Sequence, residues 1–283
     1  MNKHAKVVFL TMFAMVFFAA NSLLCRMALT QTVIDPASFT LVRIVSGALA
    51  LWLIIHFRGA ALRRHGNWVS AGSLFLYCAS FSLAYLALTA GTGALILFGT
   101  VQITMISHGL WSGERPSVRQ IVGLTVAFGG LCWLVLPGLS APPLRGSLLM
   151  MVAGVAWGVY SILGKGSADP ILATAGNFLR AVPFAVGFGF LAFPWLSLDA
   201  AGVLYGVTSG VITSGLGYAV WYTALGGLSS TQAATAQLTV PAIAASGGAM
   251  ILAEPITWHL IVSSVAILGG AAVVILDRRR QPG

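Results

Sequence analysis

Acidic residues are scarce here: six aspartates and glutamates stand among 283 residues, and all charged residues together make up 7% of the chain. Soluble domains carry roughly 25% charged residues, so a chain that is 58% hydrophobic is excluded from that class. Cysteine is sparse as well. Cys25, Cys78 and Cys132 stand singly in apolar stretches, at no metal-ligand spacing and in no disulfide framework, and are read as packing residues. The histidines, His4, His56, His65, His108 and His259, are scattered near the ends of apolar runs or in the tail. With no nucleophile, metal cluster or facing pair of acids, an intramembrane enzyme acting on lipid is disfavoured, and no cofactor is expected.

Long apolar runs fill the sequence. A helix needs roughly 20 apolar residues to cross the hydrocarbon core, and segmentation on that rule gives spans 7–28, 37–57, 68–89, 94–112, 120–137, 144–164, 171–193, 201–224, 231–252 and 258–277. Turn-forming residues separate them, as at Asp35-Pro36, Asp169-Pro170 and Glu254-Pro255. The runs are unbroken and lack period-two alternation, which excludes a β-barrel. Lys3 and Lys6 ahead of the first run resemble a signal peptide, but a similar segment recurs later in the chain, so it is read as a span.

The net charge of +9 would suggest nucleic acid in a soluble protein. Here the basic residues collect at span ends, and no nucleic-acid partner is expected. A cytoplasmic N-terminus puts Lys3, Lys6, Arg58, Arg63, Arg64, Arg115, Arg119, Lys165, Arg278, Arg279 and Arg280 inside and leaves Arg26 and Arg145 outside. An even number of spans returns the C-terminus to the same side.

The second half repeats the first. Ser22-Leu23-Leu24-Cys25-Arg26 lies over Ser161-Ile162-Leu163-Gly164-Lys165, and Arg43 over Arg180. Tyr85-Leu86-Ala87-Leu88 lies over Tyr222-Thr223-Ala224-Leu225, Glu114 over Glu254, and Gly129-Gly130 over Gly269-Gly270, all at a nearly constant offset. With an odd number of spans in each half, the second copy enters the membrane from the opposite side. The expected architecture is an all-α membrane protein of ten transmembrane helices in two inverted five-helix repeats, 1–140 and 141–283, together one membrane domain. Such halves can exchange conformations around a site near the midplane. A channel is disfavoured because neither a charged ring nor a filter-like loop is present.

Two inverted five-span copies, each with an arginine early in its second span and a glutamate after its fourth, resemble the drug/metabolite transporter superfamily, specifically its EamA-type exporters. Within that superfamily the chain is most similar to the bacterial aromatic amino-acid exporters. The resemblance implies a multi-pass protein of the bacterial inner membrane, with both termini cytoplasmic, that exports small organic solutes by alternating access. Aromatic or other neutral amino acids are the implied cargo; other metabolites or cationic drugs are the alternative. The partners are then the solute and membrane lipid. The oligomeric state stays open, a monomer included. One departure is Pro241 in the ninth span, which has Val101 opposite it.

The same resemblance makes the first, third, fourth, sixth, eighth and ninth spans the cavity walls. Polar groups facing lipid are costly and turn inward. Candidate solute-binding residues are therefore Asn21, Ser22, Tyr77, Tyr85, Gln102, Trp157, Tyr160, Lys165, Tyr218, Trp221 and Gln237. Aromatic faces can stack on a flat solute or lie over its amine; ordinary helix packing is the alternative for each. Trp68, Trp111, Trp195 and Trp258 near span ends are assigned to the interfacial belt. Arg43 and Arg180 are charges within spans, at about 2.5–3.5 kcal/mol each on insertion scales. They are read either as gates and carboxylate binders or as structural residues bonded to carbonyls near span ends. Asp35, Glu114, Asp169, Asp199, Glu254 and Asp277 all fall at span ends or in connections, with Glu114 and Glu254 read as helix-terminus residues. No midspan acid is present to relay a proton, so facilitated diffusion is expected.

Overall fold

The computed structural model describes residues 3–59, 65–111, 117–135, 141–164, 167–227 and 236–276. These residues form ten apolar helices: α1 (Lys3–Gln31), α2 (Pro36–Phe57), α3 (Trp68–Ala84), α4 (Ala90–Trp111) and α5 (Val118–Val135), then α6 (Leu144–Gly164), α7 (Pro170–Leu191), α8 (Ala200–Leu225), α9 (Val240–Leu252) and α10 (Trp258–Leu276). Six of them, α1, α2, α4, α6, α7 and α8, are long and apolar enough to cross a membrane; the apolar stretches of α3, α5, α9 and α10 are shorter. Large apolar side chains such as Phe9, Met12, Val16, Phe57 and Leu191 are exposed on the outside, while Asn21, Thr40, Arg43, Gln102 and Thr213 are buried. Oil outside and polar groups within is the distribution that lipid demands.

Local signals set the helix starts. Asp35 accepts from the amides of Ala37 and Ser38, and Asp169 from those of Ile171 and Leu172, each ahead of a proline in the first turn. Asn67 and Asp199 cap α3 and α8 in the same way. Most boundaries fall within four residues of the sequence expectation, and two spans differ more. The third helix ends at Ala84 rather than 89, because the chain turns to present the carbonyls of Tyr85 and Leu86 to Arg26. Gly93 allows this turn: a Cβ there would lie 2.5 Å from the Tyr85 ring. The ninth span is divided: residues 236–237 are helical, 238–239 form a turn, and α9 runs on from Val240 with Pro241 in its first turn. Pro241 therefore opens a helix instead of bending one; residues 231–235 are outside the described set.

The halves interleave. α5 packs on α10, α2 on α7 and α4 on α9; α3 and α4 pack on α6, as α8 and α9 pack on α1; α2 meets α8 as α7 meets α3. Exchanging each helix for the one five places along maps this set of pairs onto itself. One asymmetry interrupts it: the middle of α8, Ser209–Leu216, winds as a π-helix, closed by the amide of Gly217 bonding back to the carbonyl of Ile212. Cys25 and Cys78 are packed as expected, but Cys132 is exposed on α5 and is not a packing residue.

Candidate functional site

Arg43, fully buried on α2, stands at the centre of the bundle. Its Nε donates to Ser214 Oγ at 2.9 Å, and one terminal nitrogen, Nη2, donates to the hydroxyls of Tyr77 at 3.2 Å and Tyr218 at 3.0 Å. The guanidinium carbon lies 5.1 Å from the centre of the Tyr77 ring and 5.2 Å from that of Phe81, within reach of a cation–π attraction. The other terminal nitrogen, Nη1, is buried with no hydrogen-bond partner among the described residues. No carboxylate described lies within ion-pairing distance of Arg43. An arginine cannot shed its proton in a protein. The centre therefore holds a full positive charge met only by neutral dipoles and ring faces.

Asn21 on α1 fixes the neighbouring geometry. Its Nδ2 donates to the Tyr77 hydroxyl at 3.2 Å, while its Oδ1 accepts from Ser209 at 2.7 Å and Thr213 at 3.0 Å. Ser209, Thr213 and Ser214 all belong to the π segment of α8. An i→i+5 winding displaces side chains from the faces that a regular helix would give them, and here three hydroxyls reach α1 and α2. Gly210 in the same segment lies against the α2 backbone: a Cβ there would fall into the Arg43 carbonyl and the Ser46 hydroxyl.

Above this polar layer sits an aromatic cage. Trp157 lies 4.7 Å from Tyr218 and 5.0 Å from Tyr77 between ring centroids. Phe18 sets its ring edge-to-face against Trp157, Tyr218 and Trp221. Between them is a cavity lined by Phe18, Ser22, Tyr77 and Phe81 with Leu97, Phe98, Trp157 and Tyr218. Its free volume is about 10 Å³, at the lower limit for one water. The site is closed, and admitting a solute requires the cage to part.

A second cluster ties the halves at the end of the bundle where α1 finishes. Arg26 Nε and Glu254 Oε1 form an ion pair at 3.0 Å, and Glu254 Oε2 accepts from the Ala90 amide, the first of α4, at 2.8 Å. Glu254 thus serves a helix start, as its sequence position suggested, but that of α4 in the other half rather than its own successor. Ala253, in a left-handed conformation (φ 51°), turns the chain at the end of α9 and sets Glu254 in place.

A helical bundle built twice over, with its polar residues gathered between the halves, is matched in sequence: residues 5–136 and again 144–276 match the EamA-like transporter family. The chain belongs to that family. Among similar EamA proteins and other relatives, an uncharacterised protein of Pseudomonas aeruginosa is 50% identical, over 96% of both chains. The threonine/homoserine exporter RhtA of Salmonella typhimurium is 28% identical over 62% of this chain and 61% of its own. A probable amino-acid metabolite efflux pump of Escherichia coli is 23% identical over 72% of each. A solved crystal structure, 17% identical, shares the fold with a TM-score of 0.69, covering 98% of this chain and 99% of that one.

Within this EamA protein, the residues singled out from sequence divide into groups. Asn21, Ser22, Tyr77, Trp157, Tyr218 and Arg43 converge on the centre. Trp221 backs the cage through Phe18, and Tyr160 stands behind Trp157 at 5.6 Å, its hydroxyl accepting from Asn177 at 3.5 Å. Gln102 and Gln237 are buried but outside the cavity lining, Gln237 in the short helical piece ahead of α9. Tyr85 is in the turn beside Arg26, its hydroxyl donating to the Ala90 carbonyl at 3.3 Å. Arg180 donates to the carbonyls of His65 at 2.7 Å and Gly176 at 2.9 Å. Lys165 lies outside the described residues. Trp68, Trp111, Trp195 and Trp258 are exposed. Phe18, Phe81, Phe98, Ser209, Thr213 and Ser214 are site residues that the sequence does not single out: phenylalanines carry no polar signal, and serines and threonines recur throughout the apolar spans.

Proposed function

We propose that this protein is an alternating-access exporter of small organic solutes, with aromatic or other neutral amino acids as its cargo, working by facilitated diffusion. The observation that carries this reading is the closed aromatic and polar centre lined from both halves, beside an ion pair that joins those halves at one end. Two inverted five-helix copies crossing the bacterial inner membrane ten times, both termini in the cytoplasm, would place the centre near the midplane. The exchange symmetry of the packed pairs supports that arrangement. The relatives named as exporters of threonine, homoserine and amino-acid metabolites support the cargo class. The described acids, Asp35, Asp169 and Asp199 at helix starts and Glu254 on Arg26, leave the centre without a proton-relaying carboxylate, which favours uniport over proton coupling.

Counterflow in proteoliposomes, with labelled amino acids, sugars and cationic drugs, tests the reading. Saturable exchange of amino acids is expected. Exchange confined to drugs or sugars would move the cargo assignment, and no exchange of any solute would remove the carrier. Uptake driven by an imposed pH gradient without a solute gradient would overturn uniport.

A further inference from the structure

We propose that Arg43 is the anion-binding group of the central site and that the solute is recognised through a carboxylate; this rests on the transporter reading above. The two intramembrane arginines that the repeat sets opposite each other have different surroundings. Arg180 is only half-buried and gives its Nη1 to two backbone carbonyls, as a structural arginine does. Arg43 is fully buried, meets only a serine and two phenols, and keeps Nη1 without an acceptor. A buried charge left without a partner is unfavourable by several kcal/mol, and persists where something else is served by it.

Most of the unsatisfied groups around the cage are donors, and the hydroxyl of Ser22 in the cavity lining, also unpaired, can donate as well as accept. The indole N–H groups of Trp157 and Trp221 are buried without acceptors, and indole can only donate. The Tyr77 hydroxyl already accepts from both Arg43 and Asn21, so its own proton is left for donation. Tyr77 and Tyr218 both line the cavity and both touch Arg43, so the cavity stands one hydroxyl away from the guanidinium. The centre is rich in donors and carries a positive charge. A carboxylate entering through the parted cage supplies Nη1 with its acceptor and the guanidinium with its counter-charge together. An ammonium group meets ring faces and the Ser22 hydroxyl there, but also the like charge of Arg43.

The test uses the full chain, purified in detergent and in proteoliposomes, with three ring-matched probes: L-phenylalanine, phenylacetate and 2-phenylethylamine. Both carboxylates are expected to raise the thermal unfolding midpoint and to support counterflow, and the amine to do neither. Arg43→Gln is expected to stay monodisperse and melt no lower than the parent, yet bind phenylacetate at least about tenfold more weakly. Arg43→Lys, keeping the charge but not the fork, falls between. A merely structural Arg43 would instead give a lower melting point with unchanged probe affinity. Should Arg43→Gln not fold, Tyr218→Phe decides, with an expected loss of roughly threefold or more in phenylacetate affinity. Equal binding of the amine, unchanged affinity in the folded variants, or no binding of either carboxylate would overturn the proposal. Counterflow of the amine alone would do so while leaving the transporter reading intact.

Discussion

Arg26 and Glu254 meet at 3.0 Å between the end of the first helix and the turn after the ninth, joining the two halves of the chain through a pair that is only partly exposed. Glu254 also holds the first amide of α4, and Arg26 the carbonyls of Tyr85 and Leu86. Opening that end must break these contacts. Glu254→Gln removes the charge while its amide oxygen can still accept from Ala90. Losing such a pair is worth about 1 kcal/mol, roughly a fivefold shift in a two-state ratio toward the open form. In a cysteine-free background, a Ser22→Cys reporter is expected to react several-fold faster with a membrane-impermeant maleimide added from that side.

Close approach of α2 and α8 depends on Gly210. Gly210→Ala drives a methyl into the α2 backbone, and overpacking of this kind costs about 1–3 kcal/mol. Gly187 on α7 has nothing within 4 Å of an added Cβ and no left-handed backbone, so Gly187→Ala is expected to be neutral or stabilising by up to about 1 kcal/mol. Melting curves in detergent separate the two, and equal midpoints would show that the π segment tolerates movement.

Many of the helix ends are legible in the sequence because they carry chemistry that acts locally. Asp35-Pro36 and Asp169-Pro170 start helices through their own side chains. The end of α3 was illegible because Tyr85-Leu86-Ala87-Leu88 is as apolar as a helix; what turns it is Arg26, distant in sequence. At the site, large polar aromatic residues and an intramembrane arginine announced themselves. Their grouping did not. Asn21 meets Ser209 and Thr213 from 188 and 192 positions away, and only a π-helix, which no pattern in this sequence marked, brings those hydroxyls around. Arg43 and Arg180 looked equivalent for the same reason: a repeat aligns positions, whereas partners come from packing.

Asn21 and Arg43 share the Tyr77 hydroxyl, so Asn21→Asp places a carboxylate beside the unpaired guanidinium. It loses one donor to Tyr77 but supplies the missing counter-charge, and the folded protein is expected to melt no lower than the parent. Carboxylate probes would then compete with an internal anion and lose at least about tenfold in counterflow rate. Asn21→Leu lacks that charge and strands the hydroxyls of Ser209 and Thr213, each at about 1–3 kcal/mol, so it should lose stability as well as transport. A stable, fully active Asn21→Asp would be incompatible with anion recognition at this centre.

Phe18 sets the size of the cage. Its ring touches Trp157, Tyr218 and Trp221 from one helix and leaves about 10 Å³ free beside it. Phe18→Ala removes most of that ring in a place where the surrounding indoles and phenols are held by helices of both halves, so the space cannot fully collapse, and a loss of about 3–5 kcal/mol in stability is expected. The same vacancy relaxes the limit on the solute. In counterflow competition, tryptophan should gain relative to alanine as a competitor in Phe18→Ala compared with the parent. The conservative Phe18→Leu, which leaves a smaller gap, should move both stability and preference in the same direction by less. A loss of stability with no change in the ranking of solutes would place Phe18 in the packing of the bundle alone and move the binding surface elsewhere along the Tyr77 and Tyr218 face.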